Sequence, residues 1–237
     1  MPTSEIKALT FDVFGTVVDW RGSIAREIAV WEPVKDLGID GFALADAWRG
    51  LYQPAMEKVR QSKTAWANLD TLHRMNLNQL SDEFGLNVLK EVHLAHLNKV
   101  WHRLDPWPDS VAGMNRLRKK FVLASLSNGN VSLILDMAKR ARIPWDMILG
   151  AEIAGYYKPQ AQAYRKSVEL LGIDPDEALM VAAHNGDLIA AAEVGLRTAF
   201  VYRPTEYGPN QTVDNAPEQQ FDFVAEDLLD LAQQLDC

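Results

Sequence analysis

Apolar and polar positions alternate in blocks along the chain: short, nearly continuous apolar runs recur, and most are followed by a stretch with helical periodicity. The apolar runs lie at residues 6–13, 121–126, 179–183, 198–202 and 221–224, with a weaker one at 147–149. Short apolar runs separated by helical segments are typical of strands that are buried on both faces and joined by helical crossovers. The pattern therefore predicts an α/β protein with a parallel sheet.

Residues 20–103 show a different pattern, with helical periodicity and no convincing strand. This stretch holds five of the seven tryptophans and four of the five histidines. After it, the sequence "LDPWPD" at 104–109 contains two prolines, which resist both a helix and an interior strand. We therefore predict a helical cap at 19–103, inserted into a core made of 1–18 and 104–237.

The composition narrows the class of protein. The 237 residues are 48% apolar, without an apolar run of eighteen residues, which predicts a globular protein that does not span a membrane. A formal net charge of −8 argues against nucleic acid or anionic lipid as a partner. The N-terminus shows no secretion signal, and the single Cys237, in a tail expected to fray, gives no disulfide framework. We therefore expect a cytoplasmic protein.

Polar side chains follow the ends of the predicted strands. Because parallel strands share one carboxyl edge, these side chains are expected to converge there. A carboxylate, a hydroxyl and amide pair, a lysine and a second carboxylate form a set with catalytic potential. The residues concerned are Asp12, Gly15 and Thr16 after the first run, Ser127, Asn128 and Gly129 after the second, Lys158 before a later helix, and His184, Asn185 and Asp187 after residues 179–183.

These segments resemble the four motifs of the haloacid dehalogenase superfamily. Each is weak alone, but their order, their positions at strand ends and a helical insertion after the first make the signal specific. The motifs are Asp12-x-x-Gly-Thr, Ser127-Asn128-Gly129, Lys158-Pro159 and Asp187, and they span residues 11 to about 200. The resemblance implies a doubly wound, Rossmann-like parallel sheet with a helical cap inserted after the first strand.

Two positions depart from the pattern of the superfamily's phosphatases. Those enzymes typically carry a general-acid Asp where this chain has Phe14, and a Mg²⁺-binding Asp where it has Ala183. Asp12 and Asp187 together carry two negative charges, which Lys158 and one arginine would neutralise without a metal ion. We therefore expect no metal and no other cofactor, and a small monoanionic substrate.

The arginine is expected to be Arg49, which lies in "ADAWRGLYQPAM" beside the apolar stripe of a predicted cap helix. The Trp-Arg pair resembles the cap helix of type II (S)-2-haloacid dehalogenases, in which the arginine faces the leaving halide. A solvated surface arginine is the alternative. The resemblance implies hydrolysis of short 2-haloalkanoic acids to 2-hydroxy acids, with inversion at carbon, through an aspartyl ester.

The resemblance assigns the chemistry of ester formation and hydrolysis to a few side chains. Asp12 would attack the halogen-bearing carbon, and Lys158 would keep it ionised. Thr16 would donate a hydrogen bond to the nucleophile or cap the helix that follows. Asp187 would fix Lys158 and activate the hydrolytic water. Tyr164 matches a position near the site, although a tyrosine simply buried in a helix is almost as good an interpretation.

A second group of residues would hold the substrate. Ser127 and the backbone amides of Val13 and Phe14 would bind its carboxylate. Asn128 and Arg49 would stabilise the departing halide. The Phe14 ring would make one wall of the pocket apolar.

The segment Ala182–Asp187 departs even from the better-known haloacid dehalogenases, which read Ser-Ser-Asn-Ala-Trp-Asp there. A histidine, His184, replaces the asparagine, and Gly186 replaces the tryptophan. His184 could accept a proton from water at neutral pH, or it could be a hydrogen-bonded loop histidine. Asn185 is expected at the same rim. Gly186 could enlarge the pocket, which leaves the size of the substrate open.

Other interpretations remain beside dehalogenation. A Mg²⁺-dependent phosphatase of the same superfamily is the first alternative, and a non-catalytic binding module is the second. The histidines at 93, 96 and 102 lack the paired ligands of a metal site. Asp19 is interpreted as a helix cap. Residues 204–212 are interpreted as a surface loop without functional signal. The resemblance also suggests a homodimer.

Overall fold

Six strands form one parallel sheet in the computed structural model of the protein, which describes residues 5–237. The described residues contain eight strands, of which β2 and β3 form a separate pair. In chain order the strands are β1 (Ala8–Phe11), β2 (Val18–Asp19), β3 (Asp105–Pro106), β4 (Val122–Ser127), β5 (Met147–Gly150), β6 (Ala178–Ala182), β7 (Arg197–Val201) and β8 (Phe223–Ala225). The order across the sheet is β5-β4-β1-β6-β7-β8, with every neighbouring pair parallel. The predicted fold class is confirmed.

Twelve α-helices accompany these strands in residues 5–237. Six lie between β2 and β3: α1 (Trp20–Val30), α2 (Glu32–Lys35), α3 (Gly41–Gly50), α4 (Tyr52–Arg60), α5 (Leu69–Gln79) and α6 (Glu91–Asn98). The other six are α7 (Ser110–Leu117), α8 (Val131–Ala141), α9 (Ala151–Ala154), α10 (Ala161–Leu171), α11 (Asn185–Glu193) and α12 (Leu228–Gln234).

The sheet is apolar because helices cover both of its faces. β1 lies in its centre, with Phe11 aligned to Ser125 of β4 on one side and to Val181 of β6 on the other. After β1 the chain builds β4 and β5 on one side, and then returns to build β6, β7 and β8 on the other. The strand order thus reverses next to β1. A crevice at the carboxyl ends of strands forms at such a point, and in this fold class it is the usual ligand site.

The helical insertion leaves and rejoins the sheet at one place. β2 and β3 pair antiparallel, with Val18 opposite Pro106 and Asp19 opposite Asp105. Asp19 also caps α1, because its side chain accepts a hydrogen bond of 2.7 Å from Gly22 N. The predicted boundary between cap and core falls at this strand pair, although residues 1–4 of the predicted core lie outside the described residues. The division into two domains stays a prediction.

The C-terminus packs onto the core, so the expectation of a fraying tail was wrong. Arg116 Nη2 donates a hydrogen bond of 2.6 Å to the carbonyl oxygen of Cys237, and Lys120 Nζ donates one of 2.8 Å to Leu235 O. These two cations tie the residues that follow α12 to the core. Within residues 5–237, no helix combines the length and apolar character that a membrane crossing requires.

Candidate active site

Asp12 follows β1 directly, at the point where the strand order reverses. Its backbone amide still donates to Val181 O at 3.0 Å, so the sheet fixes the residue's position. The carboxylate is buried and has three partners: Lys158 Nζ lies 3.0 Å from Oδ1, Thr16 Oγ1 donates to Oδ2 at 2.8 Å, and His184 Nδ1 lies 3.1 Å from Oδ2. The sequence therefore places a buried, fully hydrogen-bonded carboxylate at the carboxyl edge of the sheet.

Lys158 stands between two carboxylates. Its ammonium contacts Asp187 Oδ2 as well as Asp12, and its backbone amide donates to Asn128 Oδ1 at 2.8 Å. Asp187, in the first turn of α11, uses its other oxygen to accept a hydrogen bond of 2.5 Å from the Tyr164 hydroxyl. Both carboxylates thus share one cation, and both oxygens of Asp187 have partners.

The electrostatics of the site favour the ionised form of Asp12. Burial raises the pKa of Asp12, but the Lys158 ammonium and the hydrogen bond from His184 outweigh it and hold that pKa well below its ordinary value. Burial lowers the pKa of Lys158, but Asp12 and Asp187 raise it above its usual range. Burial and the negative charge of Asp12 raise the pKa of Asp187, against the effect of Lys158. Of the two carboxylates, Asp12 is therefore the one that its surroundings favour more strongly in the ionised form.

A carboxylate that the sequence did not reveal lies on the far side of His184. Glu206 is 1% exposed, and its side-chain oxygens lie 3.1 and 2.9 Å from His184 Nε2. Its Oε1 also accepts a hydrogen bond of 2.9 Å from Trp20 Nε1. The interpretation of residues 204–212 as a surface loop was wrong at this position, because the loop turns inward and buries the carboxylate beside the site.

Arg49 lies in the last turn of α3, with its guanidinium between two aromatic rings. The guanidinium carbon is 4.2 Å from the centre of the Tyr52 ring and 5.4 Å from that of Trp20. Its Nη1 is buried and has no hydrogen-bond partner within the described part of the chain. The structure thus places Arg49 at the seam between insertion and sheet and not on an open surface.

These groups face one cavity of about 420 Å³. Seven of the predicted site residues line it: Asp12, Arg49, Asn128, Lys158, Tyr164, His184 and Asp187. Five further lining residues were not predicted, namely Tyr52, Gln53, Arg60, Tyr207 and Asp214. Tyr52 lies in the apolar stripe from which the cap helix was predicted. The sequence does not indicate that this part of the cap faces the sheet.

The whole chain resembles known hydrolases. Residues 6–195 match the family described as "Hydrolase: haloacid dehalogenase-like hydrolase". The chain belongs to this family.

Solved structures and curated proteins related to this family member include several dehalogenases. The crystal structure of the L-2-haloacid dehalogenase PA0810 is 48% identical, with a TM-score of 0.94 over 98% of this chain and 99% of the other. That of the defluorinating L-2-haloacid dehalogenase Rha0230 is 46% identical, with a TM-score of 0.94 over 98% and 96%. The (S)-2-haloacid dehalogenase 4A of Burkholderia cepacia is 26% identical over 85% of this chain and 87% of its own. Curated phosphatases match as well, such as the phosphoglycolate phosphatase of Aquifex aeolicus, which is 25% identical over 82% and 84%.

Many members of the haloacid dehalogenase superfamily use Mg²⁺, and the residues of this hydrolase do not fit that ion. Ala183 stands where the second carboxylate ligand is expected, and the Lys158 ammonium lies between Asp12 and Asp187. A cation in that place repels a second one. Among residues 5–237, His, Cys, Asp and Glu side chains nowhere form a group of three or more that could hold a metal ion.

Two predicted substrate-binding and catalytic hydroxyls of the hydrolase lie just beneath the cavity. Thr16 is buried, and its Oγ1 donates to Asp12 and accepts from Ala183 N at 2.9 Å, which ties the nucleophile to the end of β6. Ser127 is also buried, and its Oγ accepts a hydrogen bond of 3.0 Å from Gly129 N. Val13 is buried and does not line the cavity, so the predicted contact of its amide with a ligand stays a prediction.

Two other predicted residues of the hydrolase do not line the cavity. The Phe14 ring packs edge-on against Trp101 with 5.9 Å between ring centres, because the residue lies inside the apolar core. The Asn185 side chain is buried and binds the loop that follows β7: its Nδ2 donates to Asp214 Oδ1 and Ala216 O, both at 3.0 Å, and its Oδ1 accepts from Glu218 N at 2.8 Å. The Asn185 side chain therefore holds this loop in place and does not lie in the cavity, where a catalytic role was expected.

Proposed function

We propose that this protein hydrolyses short 2-haloalkanoic acids to 2-hydroxy acids, with inversion at the carbon and without a metal ion. One observation carries the proposal. The cavity that holds the ionised Asp12 is also lined by Arg49, a half-buried cation whose buried Nη1 has no hydrogen-bond partner among the described residues. A nucleophile and an unpaired cation facing one cavity suit a substrate that releases an anion. Relatives at 48% and 46% identity are L-2-haloacid dehalogenases by name.

The first half of the reaction forms an ester. An oxygen of the Asp12 carboxylate attacks the halogen-bearing carbon, and the electron pair of the carbon–halogen bond leaves with the halide. Arg49 and Asn128 stabilise the halide as its charge grows. The side-chain oxygen of Asn128 accepts from Lys158 N, so its amide NH₂ group is the part left to bind an anion.

The second half of the reaction hydrolyses the ester. Water attacks the carboxyl carbon of Asp12, the bond between that carbon and the substrate oxygen breaks, and the 2-hydroxy acid leaves. Lys158 stabilises the restored carboxylate, and Asp187 and Tyr164 hold Lys158 in place. In the proposal the substrate carboxylate is bound by the amides of residues 13 and 14 and by Ser127.

Isotope labelling tests the reaction. With enzyme in excess over 2-chloropropionate in H₂¹⁸O, the first product should carry ordinary oxygen, and the peptide that contains Asp12 should gain ¹⁸O. Label in the first product, with none in Asp12, would contradict the ester. Asp12→Asn is the control, since an amide is a poor nucleophile and chloride release should fall to background.

A substrate panel separates dehalogenation from phosphatase activity. Halide release from 2-halo acids should continue in the presence of a chelator. Turnover of phosphoglycolate that requires Mg²⁺, without halide release, would show that the phosphatase alternative is correct. The panel also identifies which halogens can leave.

We also propose that residues 19–103 act as a cap domain and that the protein works in the cytoplasm as a homodimer. Exposed large apolar side chains on the insertion support an interface there: Val30, Phe42, Trp66, Met75, Val88 and Val92. Light scattering tests the assembly, because a mass near the 26.6 kDa of one chain would contradict a dimer.

A further inference from the structure

Glu206 is a buried carboxylate that has no role in the two half-reactions proposed above. It is 1% exposed, compared with 7% for Asp12, and it accepts hydrogen bonds from Trp20 and lies against His184. Gly15 makes room for it: a Cβ built on that glycine would lie 2.0 Å from Glu206 Oε1. A buried carboxylate is costly unless it is well paired, so such an arrangement needs a reason.

The imidazole of His184 joins Glu206 to the nucleophile. Its Nε2 lies 2.9 Å from Glu206 Oε2, and its Nδ1 lies 3.1 Å from Asp12 Oδ2. Once an ester has formed, Asp12 no longer carries a charge that attracts a proton on Nδ1. A neutral ring whose Nε2–H is held by Glu206 then presents the Nδ1 lone pair beside the ester. A carboxylate that fixes the tautomer of a basic histidine in this way is a general device of acid–base catalysis.

We propose that His184 is the general base that takes a proton from the water attacking the Asp12 ester, and that Glu206 is the positioning residue that holds its Nε2–H. This inference rests on the proposed function. It differs from the expectation that Asp187 activates the water, because one oxygen of Asp187 contacts Lys158 and the other accepts from Tyr164 at 2.5 Å.

The protons balance through the cycle. In the resting enzyme the ring carries both protons, since burial lowers the pKa of His184 but Glu206 and Asp12 raise it well above its ordinary value. Other charged or titratable groups that line the same cavity include Arg49, Lys158, Asp187, Tyr207 and Asp214. Ester formation removes the charge of Asp12, so the ring loses one proton to solvent as the halide leaves.

Hydrolysis then restores the resting state. Water gives one proton to His184 Nδ1 while its oxygen bonds to the carboxyl carbon of Asp12. The carbon–oxygen bond to the substrate breaks, and the substrate oxygen takes the second proton of the water. The products are the 2-hydroxy acid, the Asp12 carboxylate and the imidazolium. Over the whole cycle one water is consumed, and one halide ion and one proton are released.

Rapid-quench kinetics on Glu206→Gln test the proposal. With 2-chloropropionate, we expect a burst of one chloride per site close to the wild-type rate, followed by turnover that is slower by roughly 10²-fold. Mass spectrometry should then find the ester accumulated on Asp12. Glu206→Asp, which keeps the charge, should recover part of the turnover.

The control is Asp109→Asn, which changes another buried carboxylate that is paired with a cation, at 2.8 Å from Arg203. It should lower thermal stability and leave the ratio of burst rate to turnover rate unchanged. If Glu206→Gln slows the burst and the turnover equally, without accumulation of the ester, the proposal is overturned. If wild-type enzyme shows no chloride burst or turnover at all, it is the proposed function that fails.

A second variant serves if Glu206→Gln does not fold. His184→Asn places the family's asparagine at this position and should also accumulate the ester on Asp12. Hydrolysis of the ester at the wild-type rate in His184→Asn would overturn the proposal.

Discussion

The Lys158 ammonium lies 3.0 Å from the Asp12 carboxylate, in a pair that is buried at the carboxyl end of the central strand. The same nitrogen contacts Asp187, so a single lysine neutralises one of two neighbouring negative charges. This arrangement keeps Asp12 ionised in a site from which most water is excluded.

Replacement of Lys158 by Met should abolish activity and weaken the fold. Two buried carboxylates would lose their shared cation, which raises the pKa of Asp12 and costs about 3 kcal/mol of unfolding free energy. Halide release should fall by roughly 10²-fold or more. Urea denaturation and a chloride assay measure the two effects. Lys166→Met is the control: that lysine forms an exposed pair with Glu169, so neither quantity should change much.

Arg49→Lys should slow the release of halide although the charge is kept. A lysine lacks the planar guanidinium that packs between Trp20 and Tyr52, and it cannot place a donor where Nη1 lies. We expect the chloride burst to slow by roughly 10²- to 10³-fold. Arg74→Lys, at a partly exposed pair with Glu91, should leave the burst unchanged. A burst at the wild-type rate in Arg49→Lys would show that Arg49 does not contact the halide.

The stability of the protein should fall as the pH rises above neutrality. The pKa of His184 is raised in the folded state, because Glu206 and Asp12 outweigh the effect of burial. Above pH ~6.5, the ordinary value for histidine, the folded state therefore binds more protons than the unfolded state, and raising the pH weakens folding. The contribution is complete below that value and is lost as the pH passes through the folded-state pKa.

Urea unfolding between pH 6 and 10 checks this dependence. The difference in unfolding free energy between wild type and His184→Asn should shrink as the pH rises, because only the wild type has the imidazolium to lose. The same slope in both proteins would show that another group is responsible.

Gly186 should decide how large a substrate the cavity accepts. It lines the cavity, and an added Cβ there would find no atom within 4 Å. Gly186→Trp should therefore raise the KM for 2-bromobutyrate far more than the KM for bromoacetate, because the indole would fill space that the longer side chain needs. Gly186→Ala is the matched control and should bind both acids as the wild type does. Equal changes in the two KM values would mean that the substrate side chain lies elsewhere.

The central part of the site could be predicted because it depends on local sequence and on one rule of sheet geometry. The apolar run before Asp12 predicts a strand, and parallel strands align their carboxyl ends. That rule is sufficient to bring Asp12 together with His184 and Asp187. The strand boundaries were less accurate: the run at 6–13 became Ala8–Phe11, since a strand ends where its hydrogen-bond partners end and not where apolar residues end.

Other parts of the site depend on how loops and side chains pack. Asn185 was expected at the reaction, but its amide satisfies the backbone of a loop that the sequence does not place near it. Phe14 follows the nucleophile by two residues, but its ring turns into the core against Trp101. Both side chains lie at predicted positions of the chain, and packing alone decides which way they point.

By itself, the sequence determined the parallel sheet, the helical insertion and the placing of Asp12 at a strand end, because these depend on periodicity and on the order of strand ends. Only the tertiary structure revealed the line from Asp12 through His184 to Glu206, and the Nη1 of Arg49, which has no hydrogen-bond partner among the described residues. Glu206 lies in a polar loop, 22 residues after His184, and no periodic pattern marks a carboxylate that the fold buries. The physical reason is that burial and pairing are properties of distant segments brought together, which local sequence does not encode.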